Sequence, residues 1–276
     1  NRARVGGLVD ALAARGLATA VVWDRGERAA LLADEGWRAG CRTLVIAGGD
    51  GTVNDVVNQC RSVPLAILPL GNENLLAKEL GFTRPAEAIA AAIVRGQTQP
   101  LDLASVNGRL YRVMASVGFD ADVVHRVAAW RQTATGQRRV SHISYARPTL
   151  GSVLGYRFPR IELDADGQTC TGAMAMVFNV SRYATGLDFV PGASAHDGLV
   201  DWVLFQRPGR LSLLRYLLAV RMRRHLKLPD VQRGQAKVVT IRGEQSVPAQ
   251  VDGDAVGLTP LVIEAVPEAV RFVVVQ

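Results

Sequence analysis

Apolar residues recur along the first hundred positions with two alternating periods. Residues 5–15 carry Leu8, Leu12 and small alanines at helical spacing. Residues 17–23 form a short apolar run that reads as a strand. Residues 27–40 read as a helix, with Ala30, Leu31, Ala33 and Trp37 on its inward side. The run TLVIA at 43–47 is a continuous apolar strand, and 52–60 a helix. Residues 65–68 form another strand, with helices over 74–80 and 86–95. Strands that are apolar throughout, alternating with helices, predict a parallel sheet covered on both faces.

Beyond Pro100 the grammar changes. Residues 101–106, 109–116, 160–164, 172–181, 199–205, 237–241 and 262–265 read as strands. Their connections carry turn signals such as Asn107-Gly108 and Asp166-Gly167. Helical stretches interrupt them at 122–131 and 210–227. Many strands with few helices predict an antiparallel β-sandwich or barrel-like domain. The expected fold class is therefore α/β plus all-β. An N-terminal parallel-sheet domain covers residues 1–98, with residues 268–276 candidates to rejoin it. A β-sandwich domain covers 99–267.

Composition narrows the classes. The 276 residues are 49% hydrophobic and 21% charged, which excludes disorder as the main state. The longest uncharged runs fall short of the roughly 18 residues that span a bilayer. Cys41, Cys60 and Cys170 lack CxxC spacing, which argues against a disulfide framework or a thiolate zinc site. No secretory leader pattern is present, so a cytoplasmic location is expected. The net charge of +7 fits nucleic acid, an anionic membrane surface or a polyphosphate substrate. Arginine-rich stretches interleaved with aromatics, as a single-strand reader would use, are missing.

Two loops carry the sharpest chemistry. Gly48-Gly49-Asp50-Gly51-Thr52 follows the TLVIA strand and precedes a helix. Glycines there let a ligand approach the backbone, and a helix N-terminus offers unpaired N–H groups to an anion. A plain Gly-rich turn with a capping residue would look the same. After the next strand comes Leu68-Pro69-Leu70-Gly71-Asn72-Glu73-Asn74, where Asn72 and Asn74 can reach phosphate or ribose groups. Two such loops project from one edge of a parallel sheet, where open α/β sheets bind ligands. No lysine lies in the first loop, so phosphate charge there must be met by backbone N–H groups, a metal or arginine.

These segments, with four later ones, resemble the diacylglycerol-kinase-type lipid kinase family, which includes sphingosine and ceramide kinases and bacterial relatives. The matches are GGDGTVND (48–55), LPLGNENLLAKEL (68–80), SVGFDADV (116–123), NVSRYATGLDFVPGA (179–193), HDGLVDWVLF (196–205) and QVDGDAVGLTP (250–260). The resemblance implies ATP held by Gly48, Gly49, Asp50, Gly51, Thr52, Val53 and Asn54, with Gly71, Asn72 and Asn74 contributing. Asn72 stands where the family has Thr, and Val22 where it has another polar contact. The family's late DGE loop supplies a general base. Here it reads Asp252-Gly253-Asp254, so the base is Asp254 or Asp252. A structural Mg²⁺ is implied at Asp197, with the carbonyls of Ser194 and Leu199.

The resemblance thus implies an ATP-dependent lipid kinase, cytoplasmic and peripherally membrane-associated, that phosphorylates diacylglycerol or a related lipid hydroxyl. It implies no nucleic acid partner, and a homodimer is left open. ATP is expected in a crevice between the two domains. The alternatives are a soluble-substrate kinase resembling NAD kinase, which shares the GGDGT turn, and a non-catalytic nucleotide- or lipid-binding relative. Within 210–227, Leu211, Leu214, Leu218 and Met222 form one helical stripe, expected to pack on the sandwich. Arg221, Arg223, Arg224, His225 and Lys227 crowd its end and are candidates to meet anionic headgroups, together with the basic loop 131–139.

Overall fold

The computed structural model describes residues 1–83, 85–133, 146–180, 182–183 and 187–275; most of the basic loop 131–139 lies outside them. The chain divides into two compact units. One comprises residues 1–103 and 267–276, the other 104–266.

In the first unit, strands β1 (Leu44–Gly48) and β2 (Leu65–Pro69) pair in parallel, with Leu44 opposite Leu65 and Gly48 opposite Pro69. Every residue of β2 is buried, as a strand covered on both faces requires. Around them lie α1 (Arg2–Ala13), α2 (Arg25–Ala33), α3 (Glu35–Gly40), α4 (Asp50–Gln59), α5 (Leu75–Glu79) and α6 (Ala86–Arg95). Helices α1 and α6 pack on each other, and Val5, Leu8, Ile89 and Ile93 are among their buried residues.

Two expectations for this unit need correction. Residues 17–23 form no strand: Val21 is 43% and Trp23 58% exposed. An apolar run becomes a strand only with a ladder partner, and none among the described residues pairs with it. The helix expected over 27–40 is two helices. Asp34 ends α2 in an extended conformation and caps α3, its Oδ1 accepting from the Trp37 N–H at 2.8 Å. That side chain competes with the helix for backbone donors. Leu32, rather than the alanines around it, is the one residue of these two helices that is buried.

The second unit is antiparallel. Strands β3 (Thr98–Val106) and β4 (Arg109–Tyr111) form a hairpin about Asn107-Gly108, with β3 entering from the first unit. Next come β5 (Met114–Val117), α7 (Phe119–Thr133), α8 (Ala146–Gly155), β6 (Ile161–Ala165), β7 (Gln168–Gly172) and β8 (Met174–Phe178). The pair β9 (Arg182–Tyr183) and β10 (Leu187–Asp188) follows. The chain continues with β11 (Val200–Phe205), α9 (Arg210–Arg221), β12 (Val231–Ala236), β13 (Val238–Gly243), β14 (Pro248–Val251), β15 (Asp254–Leu258) and β16 (Leu261–Val273).

One sheet has the order β12-β11-β8-β5-β14-β15. A second runs β16-β13-β6-β7. Val117, Ala175, Val177, Trp202 and Leu204 of the first sheet meet Ile161, Leu163, Val239, Ile241 and Ile263 of the second in one buried core. On β6 these inward residues alternate with outward Glu162 and Asp164, the period-two pattern of a sandwich face. The strand expected over 109–116 is broken at Arg112 and Val113. There the backbone turns its N–H groups to a side chain instead of a ladder.

Helix α9 is locked by one carboxylate. Asp230, just before β12, is buried and accepts from Arg215 at 2.8 and 2.5 Å and from the Tyr216 hydroxyl at 2.7 Å. The Arg207 guanidinium stands 3.3 Å away. The Arg215 hydrogen bonds hold the Asp230 carboxyl far below the usual carboxylate range. Such a group contributes stability above its unfolded value, near ~4, and loses that contribution as pH falls toward the folded value. Asp230→Asn is therefore expected to cost about 1–3 kcal/mol in urea unfolding at neutral pH. The gap to wild type should shrink as pH is lowered below ~4.

Candidate functional site

In the first unit, helix α4 starts directly behind β1. Its N-cap is Gly49, no side chain caps it, and its first intrahelical bond runs from the Val53 N–H to the Gly49 carbonyl at 3.1 Å. A helix start without a side-chain cap directs backbone N–H groups and the positive end of the helix dipole outward. Gly48 must be glycine here, since a Cβ would lie 2.6 Å from the Thr52 side chain.

The second loop packs against the first at two glycines. A Cβ on Gly71 would lie 2.5 Å from the Gly49 Cα, and a Cβ on Gly49 would lie 2.9 Å from the Gly71 Cα. The loops are also bonded. The Leu70 N–H donates to the Gly48 carbonyl at 2.9 Å, and the Leu75 N–H to Asp50 Oδ2 at 3.2 Å. Asn74 sits in the left-handed region (φ 49°). Its Oδ1 accepts from the Gly71 N–H at 2.9 Å, and its Nδ2 donates to the Gly71 carbonyl at 2.7 Å.

The predicted nucleotide residues therefore sort by what they touch. Gly48, Gly49, Asp50, Gly51, Thr52, Gly71 and Asn74 come together in one pair of loops. Val53 is a core residue, 2% exposed. Asn54 is also buried, its carbonyl and Oδ1 accepting from the Asn58 amide at 2.9 and 3.4 Å. Asn72 is exposed at the loop tip.

In the second unit, the Asp252-Gly253 turn joins β14 to β15 with both residues at positive φ (51° and 87°). That is the hairpin geometry Asp-Gly favours. The Asp252 side chain points inward. Its carboxylate accepts from the N–H groups of Arg112 (3.1 Å), Val113 (2.9 Å) and Met114 (3.1 Å). The Arg112 guanidinium stands 3.4 Å away, both side chains being buried. Asp254, two residues on, is exposed at the start of β15.

A second polar network braces the same turn. Gln250 is fully buried; its Nε2 donates to Asp120 Oδ2 at 2.9 Å and Ser116 Oγ at 3.0 Å. Ser116 in turn donates to Asp120 at 2.7 Å. The Gln250 Oε1 accepts from the Gly253 N–H at 2.9 Å. The GFDA segment and the VDGD turn are thereby one hydrogen-bonded unit. Sequence reading missed Arg112, Ser116, Gln250 and the brace role of Asp120. The signal was present: a Gln between Ala249 and Val251 on an apolar strand must find buried partners.

Asp197 lies on an exposed turn before β11. Its Oδ1 accepts from the Leu199 N–H at 3.1 Å, its Oδ2 from the Gln235 amide at 3.2 Å. Asp201 stands beside it, 6% exposed. Burial pushes the Asp201 carboxyl up, against the Gln235 hydrogen bond, and the Asp197 charge raises it further. Paired carboxylates of this kind are donors that a hard, oxygen-seeking cation accepts, but among the described residues no group of three or more side-chain ligands gathers here.

Comparison with known proteins shows the family. Residues 113–274 match the family model described as the YegS C-terminal NAD kinase beta sandwich-like domain, and residues 3–106 match the diacylglycerol kinase catalytic domain. The chain belongs to the diacylglycerol-kinase and YegS lipid-kinase family. It is 29% identical over 245 residues to a diacylglycerol kinase of Mycobacterium tuberculosis, covering 84% of this chain and 76% of that one. It is 24% identical over 224 residues to one from Bacillus subtilis, covering 79% and 72%. A Pseudomonas aeruginosa protein named "probable lipid kinase YegS-like" is 32% identical over 202 residues, covering 71% and 65%. The fold is that of a crystal structure of a diacylglycerol kinase from Bacillus anthracis, with a TM-score of 0.68 at 17% identity, covering 99% and 91%. A further solved structure from that organism gives 0.75 at 20% identity, covering 99% and 90%.

Two outcomes are expected. Gly71→Ala forces backbone against backbone and should cost about 1–3 kcal/mol of stability, read as a lowered urea midpoint. Asp252→Ala removes the acceptor of three backbone N–H bonds and an ion-pair partner of buried Arg112, and should cost about 3–5 kcal/mol by the same measurement.

Proposed function

We propose that this family member is an ATP-dependent kinase that phosphorylates the hydroxyl of diacylglycerol or a closely related lipid. The observation that carries the reading is the division of labour between the two aspartates of the VDGD turn. The Asp252 carboxylate already accepts three backbone N–H bonds and faces Arg112, so it builds the turn. Asp254 is exposed on the turn so built, which suits a carboxylate that takes the proton of an attacking hydroxyl.

The Gly48 to Thr52 turn at the start of α4 suits polyphosphate oxygens, and Gly71 with Asn74 keeps the second loop close to it. In this reading Asn74 acts by holding Gly71, and exposed Asn72 is the amide left to reach the nucleotide. Phosphoryl transfer needs positioning and charge neutralisation more than covalent help from the protein. A bound Mg²⁺ supplies charge neutralisation or local order. Asp197, with the carbonyls of Ser194 and Leu199, would hold the structural ion, and Asp50 is the carboxylate nearest the phosphate turn. Asp254 is one methylene shorter than the Glu of the family pattern, so the backbone of its turn must be fixed accurately. The Gln250–Gly253 bond serves that end.

Purified protein incubated with labelled ATP and Mg²⁺ against diacylglycerol, monoacylglycerol and sphingoid bases in mixed micelles tests the reading. Labelled phosphatidic acid is the expected product, and no labelled lipid from any acceptor would overturn it. Asp254→Asn is expected to reduce turnover by about 10²–10⁴-fold with nucleotide affinity unchanged. A fully active Asp254→Asn would remove Asp254 as the base.

A further inference from the structure

Helix α9 turns its apolar stripe away from the protein. Its buried face is Leu213, Tyr216, Ala219 and Val220. The residues expected inward are outward: Leu211 is 86% exposed, Leu214 55%, Leu218 56% and Met222 59%, with Leu217 alongside at 50%. The helix cannot roll to hide them, because Arg215 and Tyr216 on its inner side are bonded to buried Asp230. The neighbouring helix α8 adds Leu150 and Leu154, 59% and 58% exposed. The two helices meet: Arg210 donates to the Leu154 carbonyl, and Leu213 shares a small core with Phe119 and Tyr156.

Along the two chain segments that carry this face the charges have one sign. From residue 206 to 229 there is no acidic residue, while Arg207, Arg210, Arg215, Arg221, Arg223, Arg224 and Lys227 are basic. Arg221, Arg223, Arg224 and Lys227 are exposed at the end of α9. His225 is not among them; it is buried, bonded to the Phe189 carbonyl at 2.8 Å. From residue 123 to 161 there is no acidic residue either.

We propose that the exposed leucine face of α8 and α9, with the arginines at the end of α9, docks on an anionic lipid bilayer. This rests on the lipid-kinase reading for its purpose, because a lipid hydroxyl must be reached at an interface. The occupant follows from the charges. A leucine row bordered by arginines matches a bilayer, where acyl chains take the one and anionic headgroups the other. A second copy of this chain, meeting face to face, would set arginine against arginine. The segment 134–145 carries Arg138 and Arg139 and no acid, so it does not complement the face either.

The test separates docking from catalysis. Protein without nucleotide is sedimented with phosphatidylcholine vesicles containing about 30 mol % phosphatidylglycerol, a strongly anionic surface. The variant Leu211→Gln, Leu214→Gln, Leu218→Gln is expected to bind roughly tenfold or more weakly than wild type. Because the whole chain is basic, a site-specific readout is added. Leu218→Trp should show a blue-shifted emission on these vesicles, quenched by brominated acyl chains, beyond the wild-type signal. Equal binding of wild type and triple variant, or an added indole indifferent to brominated lipid, overturns the proposal. So does a wild-type dimer that the triple variant converts to monomer. Phosphorylation of a short-chain, water-dispersed diacylglycerol should be unchanged in the triple variant. Its absence from both proteins would overturn the kinase reading and leave the vesicle result standing on its own.

Discussion

The carboxylate of Asp252 is the point on which this corner of the second unit depends. Sunk among apolar strands, it is met by three backbone N–H groups of Arg112, Val113 and Met114 and by a buried guanidinium. An ion that far from water is tolerable only when fully paired, so the chain must break the strand at 112–113 to supply the donors. That break separates β4 from β5, fixes where β14 ends, and leaves Gly253 to make the turn. Gln250 and Asp120 then tie α7 to the same corner. One desolvated charge thus sets the path of four strands and one helix, and the exposed aspartate beside it inherits its position.

Much of this was legible in the sequence, for physical reasons that can be named. The apolar runs at 43–47 and 65–68 predict strands of a covered parallel sheet, and the strands found at 44–48 and 65–69 pair in parallel. The strand expected over 160–164 is found at 161–165, where its apolar members are buried and alternate with more exposed ones. The Gly-rich turn after β1 declares itself because a close backbone approach tolerates no Cβ. That the approach is to Gly71, a residue 22 positions away from Gly49 in sequence, was not legible, since spacing carries no information about which loops meet. Nor was the difference in burial between Asp252 and Asp254, which turns on which side chain points inward. Alternation along a strand does not survive a two-residue turn at positive φ.

Helix α9 shows where periodicity stops. A 3.6-residue pattern identifies two faces of a helix; it does not say which one is solvated. Here both faces carry apolar residues, and the decision falls to polar anchors. Arg215 and Tyr216 reach Asp230, and that bond energy, with the small core about Leu213, outweighs the exposure of five large side chains. The same logic explains Asp34. Read as part of one helix, it is a polar interruption; as a side chain able to bond the Trp37 N–H, it is a helix start.

Strand β16 begins in the sandwich, beside β13, and ends in the first unit, where Phe272 lies opposite Leu65 and against Phe82. The Val274 N–H then bonds the Gln97 carbonyl at 2.9 Å. The α/β unit is therefore assembled from two stretches of chain that residues 104–266 separate. Until residues 267–275 emerge, the flank of β2 that they cover stands open. With the intervening 104–266 still to be synthesised at ~5–20 residues per second, that interval lasts on the order of ten seconds or more. An unpaired strand flank of that lifetime is a template for wrong partners, so the nascent protein is at its most vulnerable while its α/β unit is mostly made and still unfinished.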